Sequence, residues 1–282
     1  MAAASAATGP RVSLAERNSD TLRVMSAIVL APIPLAAIWF GSPWLALLAG
    51  LAAAVMAWEW GRLCQAGAWG ISGAVLIAIV VAAVVAGAAG WVGPAVVVAF
   101  AGAGLVYGLA RRLRDGDPLW LGFGAVWVAV PCVLLLWLAR PENAGRATVL
   151  WLFAVVWATD IGAYAIGRRV GGPRLAPRWS PSKTWAGLIG GTGCAALVGW
   201  ATALLLGSAS AMPLVLASAG LAIVEQFGDL AESVAKRRFG VKDSSGLIPG
   251  HGGLLDRLDG LLAVIPAVAL LTLLGGSVLT WR

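Results

Sequence analysis

Apolar residues fall into long blocks between Val24 and Leu279, separated by short polar intervals. The blocks cover residues 24–40, 43–64, 73–90, 92–110, 119–139, 148–168, 186–207, 211–236 and 258–279. A hydrocarbon core about 30 Å thick is crossed by roughly 20 apolar residues in a helix. The pattern therefore predicts an all-α, polytopic membrane protein with about nine transmembrane helices. The first helix is the shortest, and Pro32 and Pro34 are expected to kink it. Runs rich in Gly and Ala, such as residues 74–90, predict close helix packing rather than chemistry.

Composition agrees. The 282 residues are 60% hydrophobic and 12% charged, against about 25% charged in soluble domains, which excludes a soluble enzyme. No polar linker of domain size interrupts the spans. A single membrane domain is expected, with a cytoplasmic N-terminal tail (1–23), N-terminal transmembrane helices (24–140) and a C-terminal transmembrane catalytic region (141–282). The polar lead of Met1 to Arg23 is not expected to be a cleaved signal peptide. Cys64, Cys132 and Cys194 lack metal-ligand spacing and read as small buried hydrophobes.

The net charge of +7 suits an anionic lipid surface and polyanionic substrates, and its distribution is more informative than its size. With nine spans and a cytoplasmic N-terminus, seventeen of the twenty Lys and Arg residues fall inside, and only Arg140, Arg146 and Arg282 fall outside. This positive-inside pattern places the loops after spans six and eight on one cytoplasmic face, where nucleotides are available.

Acids within the spans call for an explanation, because insertion scales assign a charged group at a helix centre about 2.5–3.5 kcal/mol. Glu59, Asp160, Glu225 and Asp229 are the four candidates. Glu225, Asp229, Glu232, Ser233 and Lys236 share one helical face, which must look into protein or water. Glu59 and Glu225 read equally well as hydrogen-bond partners between helices. Asp229 leads directly into a Lys-Arg cluster, an arrangement suited to a divalent metal and a polyphosphate.

Two polar blocks carry the candidate chemistry. The longer runs from Gly228 to Asp259 and holds Lys236, Arg237, Arg238, Lys242 and Arg257, the single histidine His251, and Asp243, Asp256 and Asp259. Gly246, Gly250, Gly252 and Gly253 permit sharp turns and close approach of backbone to a ligand. Asp229 near the end of the eighth helix and Asp256 at the start of the ninth are the expected metal ligands. The second block follows an Asp160-bearing helix and reads Ser180-Pro-Ser-Lys183-Thr184-Trp-Ala-Gly187. Taken alone it is a proline-broken loop before a helix, with Ser and Thr as caps.

The spacing Ser233-x2-Lys236-Arg237-x4-Lys242-Asp243-x-Ser245-x2-Ile248-Pro249-x-His251-Gly252-Gly253-Leu254-x-Asp256-Arg257-Leu258-Asp259 resembles the signature of the phosphatidate cytidylyltransferase family, also called CDP-diacylglycerol synthases. Ser180 to Gly187 resembles that family's second segment, although Ala186 stands where relatives commonly have Glu or Gln, and Ala235 replaces a larger aliphatic residue at a packing position. Together the blocks cover the C-terminal half, and residues 1–151 match only in general character.

The resemblance implies conversion of phosphatidic acid and CTP into CDP-diacylglycerol and pyrophosphate, with Mg²⁺ and room for a second ion such as K⁺. It places the enzyme in the cell membrane as a multi-pass protein, with its active site facing the cytoplasm and with a homodimer as the expected assembly. Nucleic acid is not an expected partner. Asp229 and Asp256 would hold metal, and Lys236, Arg237, Lys242 and Arg257 the phosphates. Ser180, Lys183, Thr184, Ser233, Asp243, His251, Gly252, Gly253 and Asp259 would complete the substrate site. A general base is not required of His251, since a phosphate monoester with a second pKa of about 6 is already anionic near neutral pH.

Three other protein classes share parts of this pattern. Asp256-x-x-Asp259-Gly260 mimics the opening of the CDP-alcohol phosphotransferase motif, but the chain continues with Leu261, Leu262, Ala263 and Val264. A CTP-dependent polyprenol or lipid kinase shares the substrate logic and would release CDP. A secondary transporter would explain intramembrane acids, yet no internal repeat is evident and the polar residues gather at one edge.

Overall fold

The computed structural model describes residues 31–143, 145–248, 250 and 252–281. The helices are α1 (Pro32–Phe40), α2 (Trp44–Cys64), α3 (Ile71–Ala88), α4 (Val92–Leu113), α5 (Pro118–Leu138), α6 (Gly145–Val170), α7 (Trp185–Leu205), α8 (Met212–Arg238) and α9 (Leu255–Gly275). Eight of these, α2 to α9, are long and apolar enough to cross a membrane among the described residues. The expected span at 24–40 lies partly outside the described residues, and its described part is the nine-residue α1. Pro32 and Pro34 fall in the first turn of α1, where a missing N–H leaves no hydrogen bond unmade, instead of kinking a helix interior.

The connections are short and the bundle has two distinct ends. At one, Asp117 accepts from Leu119 N and Trp120 N to cap α5, and Asp115 accepts from Ser72 N and Oγ at the start of α3. Arg238 at the end of α8 reaches Asp117 at 3.7 Å. At the other end, Arg146 stacks on Trp39 and Arg140 donates to Gly87 O. Among the described residues, Arg140 and Arg146 are the basic residues at this second end, while the remaining Lys and Arg lie at the first.

Small residues set the helix spacing. A Cβ on Gly191 would sit 2.8 Å from Thr159 O, and one on Gly187 would sit 2.9 Å from Ala163 O, so α6 and α7 approach backbone to backbone. The same holds between α8 and α9 at Gly228, where an added Cβ would lie 2.6 Å from Ala263 Cβ. Large side chains fill the interior, including Trp60, Met56, Leu76, Leu121, Leu152 and Leu214. Leu205, Ile189, Phe227 and Leu274 face outward, as expected where the surrounding solvent is lipid. Cys64 and Cys132 are buried, in line with their reading as small hydrophobes.

Between α6 and α7 the chain forms an antiparallel hairpin of two short strands, β1 (Arg174–Ala176) and β2 (Ser180–Thr184). The sequence had suggested only a broken loop here. The cap expected of Thr184 is present, since its Oγ1 accepts from Gly187 N at 3.1 Å.

Candidate active site

The two polar blocks meet. Lys183 of β2 places Nζ 2.5 Å from Asp229 Oδ2 and donates to Gln226 Oε1 at 3.1 Å, both on α8. Arg237 Nε reaches Trp179 O in the hairpin turn at 3.4 Å. Around Lys183 and Asp229 lies a cavity of about 800 Å³, lined among others by Asp160, Tyr164, Gly167, Arg174, Lys183 and Gln226. Thr184 lies in its wall. Ser180 is half-buried at the start of β2.

Acids line this cavity from two helices, Asp160 of α6 and Asp229 of α8, and Glu225 of α8 stands next to the lining residue Gln226. Gln226 donates to Glu225 Oε2 at 2.6 Å. Asp259 of α9 packs beside α8 one residue before Asp229, since a Cβ on Gly228 would stand 3.0 Å from Asp259 O. The packing explains why: an added Cβ on Gly260 would stand 2.7 Å from Glu225 Cγ, so only glycine brings α9 this close to the acidic face of α8. Ser233 Oγ approaches Asp229 Oδ1 at 3.5 Å.

Lys236 and Asp256 pair with each other. Lys236 is buried, with Nζ 2.6 Å from Asp256 Oδ1 and 3.1 Å from Glu232 Oε1. The latter distance suits ion pairing but the pair is not aligned as a hydrogen bond, and Glu232 Oε2 has no hydrogen-bond partner among the described residues. Asp256 Oδ2 accepts from Ser244 N, Ser244 Oγ and Gly253 N at 2.8–2.9 Å. Both oxygens of Asp256 are thus taken by protein donors. Asp256 thereby ties the loop to α8 through Lys236, which lies between the carboxylates of Asp256 and Glu232.

The loop between α8 and α9 folds back on itself through paired Ile248 and Gly252, whose backbone groups exchange bonds of 2.8 and 3.1 Å. Gly252 has φ +81°, a left-handed conformation that favours glycine. A Cβ on Gly253 would collide with Ser244 Oγ and with Glu59 Oε1, so this glycine serves a close approach. Lys242, Asp243 and Arg257 are exposed and have no hydrogen-bond or ion-pair partner among the described residues. Arg237 is exposed but donates to Trp179 O and Val241 O. His251 lies outside the described residues. Ala235 is fully buried, as a packing position should be.

Five participants were not among the expected site residues: Asp160, Glu225, Gln226, Glu232 and Glu59. Glu232 was visible as part of the polar face of α8, and Glu59 as an intramembrane acid. Gln226 carried no motif, its only signal being a polar amide within an apolar span. Glu59 of α2, fully buried, accepts from Ser245 Oγ, Leu254 N and Leu255 N at 2.6–2.9 Å. Three such bonds at roughly 1.5–3 kcal/mol each outweigh an insertion cost of about 2.5–3.5 kcal/mol, which accounts for an acid in this helix.

The donor set bears on magnesium. Among the described residues no three acidic, His or Cys side chains form a preformed metal cage. Mg²⁺ is usually held by one or two carboxylates and completed by substrate phosphates and water. Asp160 and Asp229, carboxylates from two helices lining a cavity that also carries Arg168, Arg174 and Lys183, fit that mode.

The sequence is similar to known proteins over most of its length. The model of the Cytidylyltransferase family matches residues 21–274. A phosphatidate cytidylyltransferase of Brucella suis is 39% identical over 263 residues, covering 90% of this chain and 92% of that protein. One from Pseudomonas aeruginosa is 35% identical over 262 residues, covering 88% and 95%. One from Haemophilus influenzae is 43% identical over 127 residues, covering 43% and 44%. With its spans, its paired polar blocks and this match in hand, the chain belongs to the cytidylyltransferase family.

Proposed function

We propose that this protein is a membrane-embedded phosphatidate cytidylyltransferase, transferring CMP from CTP to phosphatidic acid to give CDP-diacylglycerol and pyrophosphate. The observation that carries the site assignment is the contact of Lys183 with Asp229, which makes the two polar blocks one cavity mouth. The reaction is in-line: an oxygen of the lipid phosphate bonds to the α-phosphorus of CTP, the α–β bridging bond breaks, and pyrophosphate leaves with that electron pair. Two polyanions must meet, so alignment and charge neutralisation are the main tasks of the site.

In this reading Lys242 and Arg257, exposed and unpaired, take phosphate oxygens, and Arg237 supports them while tying α8 to the hairpin. Lys183 holds Asp229 and borders the cavity, where it meets a phosphate brought against α6 and α8. Asp229 and Asp259, completed by substrate phosphates and water, would hold Mg²⁺, and a second ion such as K⁺ has Asp160 available in the cavity wall. When bound, the metal supplies positive charge against the transferred phosphoryl group. Ser180, Thr184, Ser233, Asp243, Gly252, Gly253 and His251 shape the mouth and its loop.

The end that carries the basic residues faces the cytoplasm of the cell in which the protein resides, following the positive-inside bias, and a homodimer completes the picture taken from the family resemblance. The deciding experiment is pyrophosphate release by purified protein given phosphatidic acid, CTP and Mg²⁺, with each omitted in turn. Release requiring both substrates and abolished by EDTA is expected. CDP in place of pyrophosphate would make the protein a kinase, and release without phosphatidic acid would remove the lipid from the reaction.

A further inference from the structure

The residues assigned to chemistry lie in the C-terminal half, but the loop that carries many of them is anchored by a side chain from the N-terminal half. Glu59 Oε1 accepts from Ser245 Oγ at 2.6 Å and Leu254 N at 2.9 Å, and Oε2 accepts from Leu255 N at 2.7 Å, with Ser244 Oγ at 3.4 Å. Leu254 and Leu255 are the cap and first residue of α9, whose early N–H groups have no partner within the helix. The carboxylate therefore closes the start of α9 as a capping side chain would, although it comes from 195 and 196 residues earlier in the chain. Gly253 lies against it so closely that any Cβ would strike Glu59 Oε1, 2.5 Å away. The next residues along α9 are Asp256, Arg257 and Asp259.

We propose that Glu59 is a positioning residue for phosphoryl transfer: its carboxylate holds the loop from Ser244 to Leu255 so that Arg257 and Asp259 stand in register with Asp229. This rests on the reaction proposed above. The physical basis is that Ser244 and Gly253 also supply the donors to Asp256, which in turn holds Lys236 of α8. Releasing the loop at Glu59 thus loosens α9 against α8 at the point where the acids gather. Displacements of about 1 Å at such a site lower rates on the order of 10²-fold.

The test compares Glu59→Gln, Glu59→Asp and Ser245→Ala in the full-length protein in detergent, by steady-state kinetics and by hydrogen–deuterium exchange. Gln is nearly isosteric but turns an NH₂ group toward donors. Glu59→Gln is expected to lower kcat on the order of 10²-fold and raise KM for CTP or phosphatidic acid, with faster exchange confined to residues 244–256. Glu59→Asp, an acceptor at both oxygens, should recover part of the rate. A smaller folded fraction would instead lower the apparent kcat with both KM values unchanged. That result, kcat for Glu59→Gln within about twofold of wild type, or exchange rising equally through α3 and α5, overturns the proposal. If Glu59→Gln does not fold, Ser245→Ala decides: slower turnover with faster exchange at Leu254 supports it, and unchanged turnover sinks it. Wild-type protein that releases no pyrophosphate would defeat the reaction assignment separately, while the exchange arms still report whether Glu59 holds the loop.

Discussion

Lys236 shows how much one side chain can hold together. It is buried between Asp256 and Glu232, and removing one member of a buried ion cluster leaves charge without compensation, at about 3–5 kcal/mol. Lys236→Met should therefore lower the thermal unfolding midpoint in detergent markedly, and adding Glu232→Gln should restore part of it. An unchanged midpoint for the single variant would contradict the clustering. On the proposed assignment the acids divide by role in the same way. Asp229→Asn and Asp259→Asn are expected to raise the Mg²⁺ concentration for half-maximal activity by about tenfold or more. Asp256→Asn should lower the maximal rate with little change in that concentration. A titration of pyrophosphate release against Mg²⁺ distinguishes them, and a large shift for Asp256→Asn alone would return the metal to Asp256.

At the scale of elements, the contact of α8 with α9 is set by Gly228 and Gly260 rather than by large side chains. Overpacking such a contact costs about 1–3 kcal/mol, and Gly260→Ala pushes directly on Glu225. We expect this variant to remain folded by size-exclusion chromatography, with a modest fall in unfolding midpoint and a disproportionate loss of turnover, because the acids of two helices are moved apart. Turnover that fell only in proportion to stability would show that the spacing has no role in the site. The hairpin between α6 and α7 has the complementary task of carrying Lys183 to Asp229.

At the scale of the whole molecule, the asymmetry of the two ends predicts orientation. In a cysteine-free background, Arg112→Cys should react with a membrane-impermeant maleimide only after the cytoplasmic side is opened, whereas Arg146→Cys should react from the other side of intact cells. The reverse labelling would invert the topology.

The spans were legible because lipid leaves few solutions: a backbone without water must satisfy its own hydrogen bonds, so an apolar run of helix-spanning length is a helix. Helix bounds from Trp44 to Gly275 follow the apolar blocks closely for the same reason. The polar blocks were legible because their residues are close in sequence and of one chemical kind. The hairpin was not, since its strands are short and its composition is that of a loop. Nor was the pairing of Lys236 with Asp256, because which group a buried cation meets depends on what the fold brings beside it.

The sequence by itself determined that this is a helical membrane protein with a concentrated cationic and acidic edge suited to phosphoryl transfer, because helix formation in lipid and local charge density are properties of short segments. The tertiary fold alone brings Lys183 to Asp229, sets Asp160 in the same cavity wall, and lets Glu59 hold the loop at the start of α9. Those contacts join residues tens to hundreds of positions apart, and their geometry is fixed by glycine-mediated helix packing that no local pattern encodes.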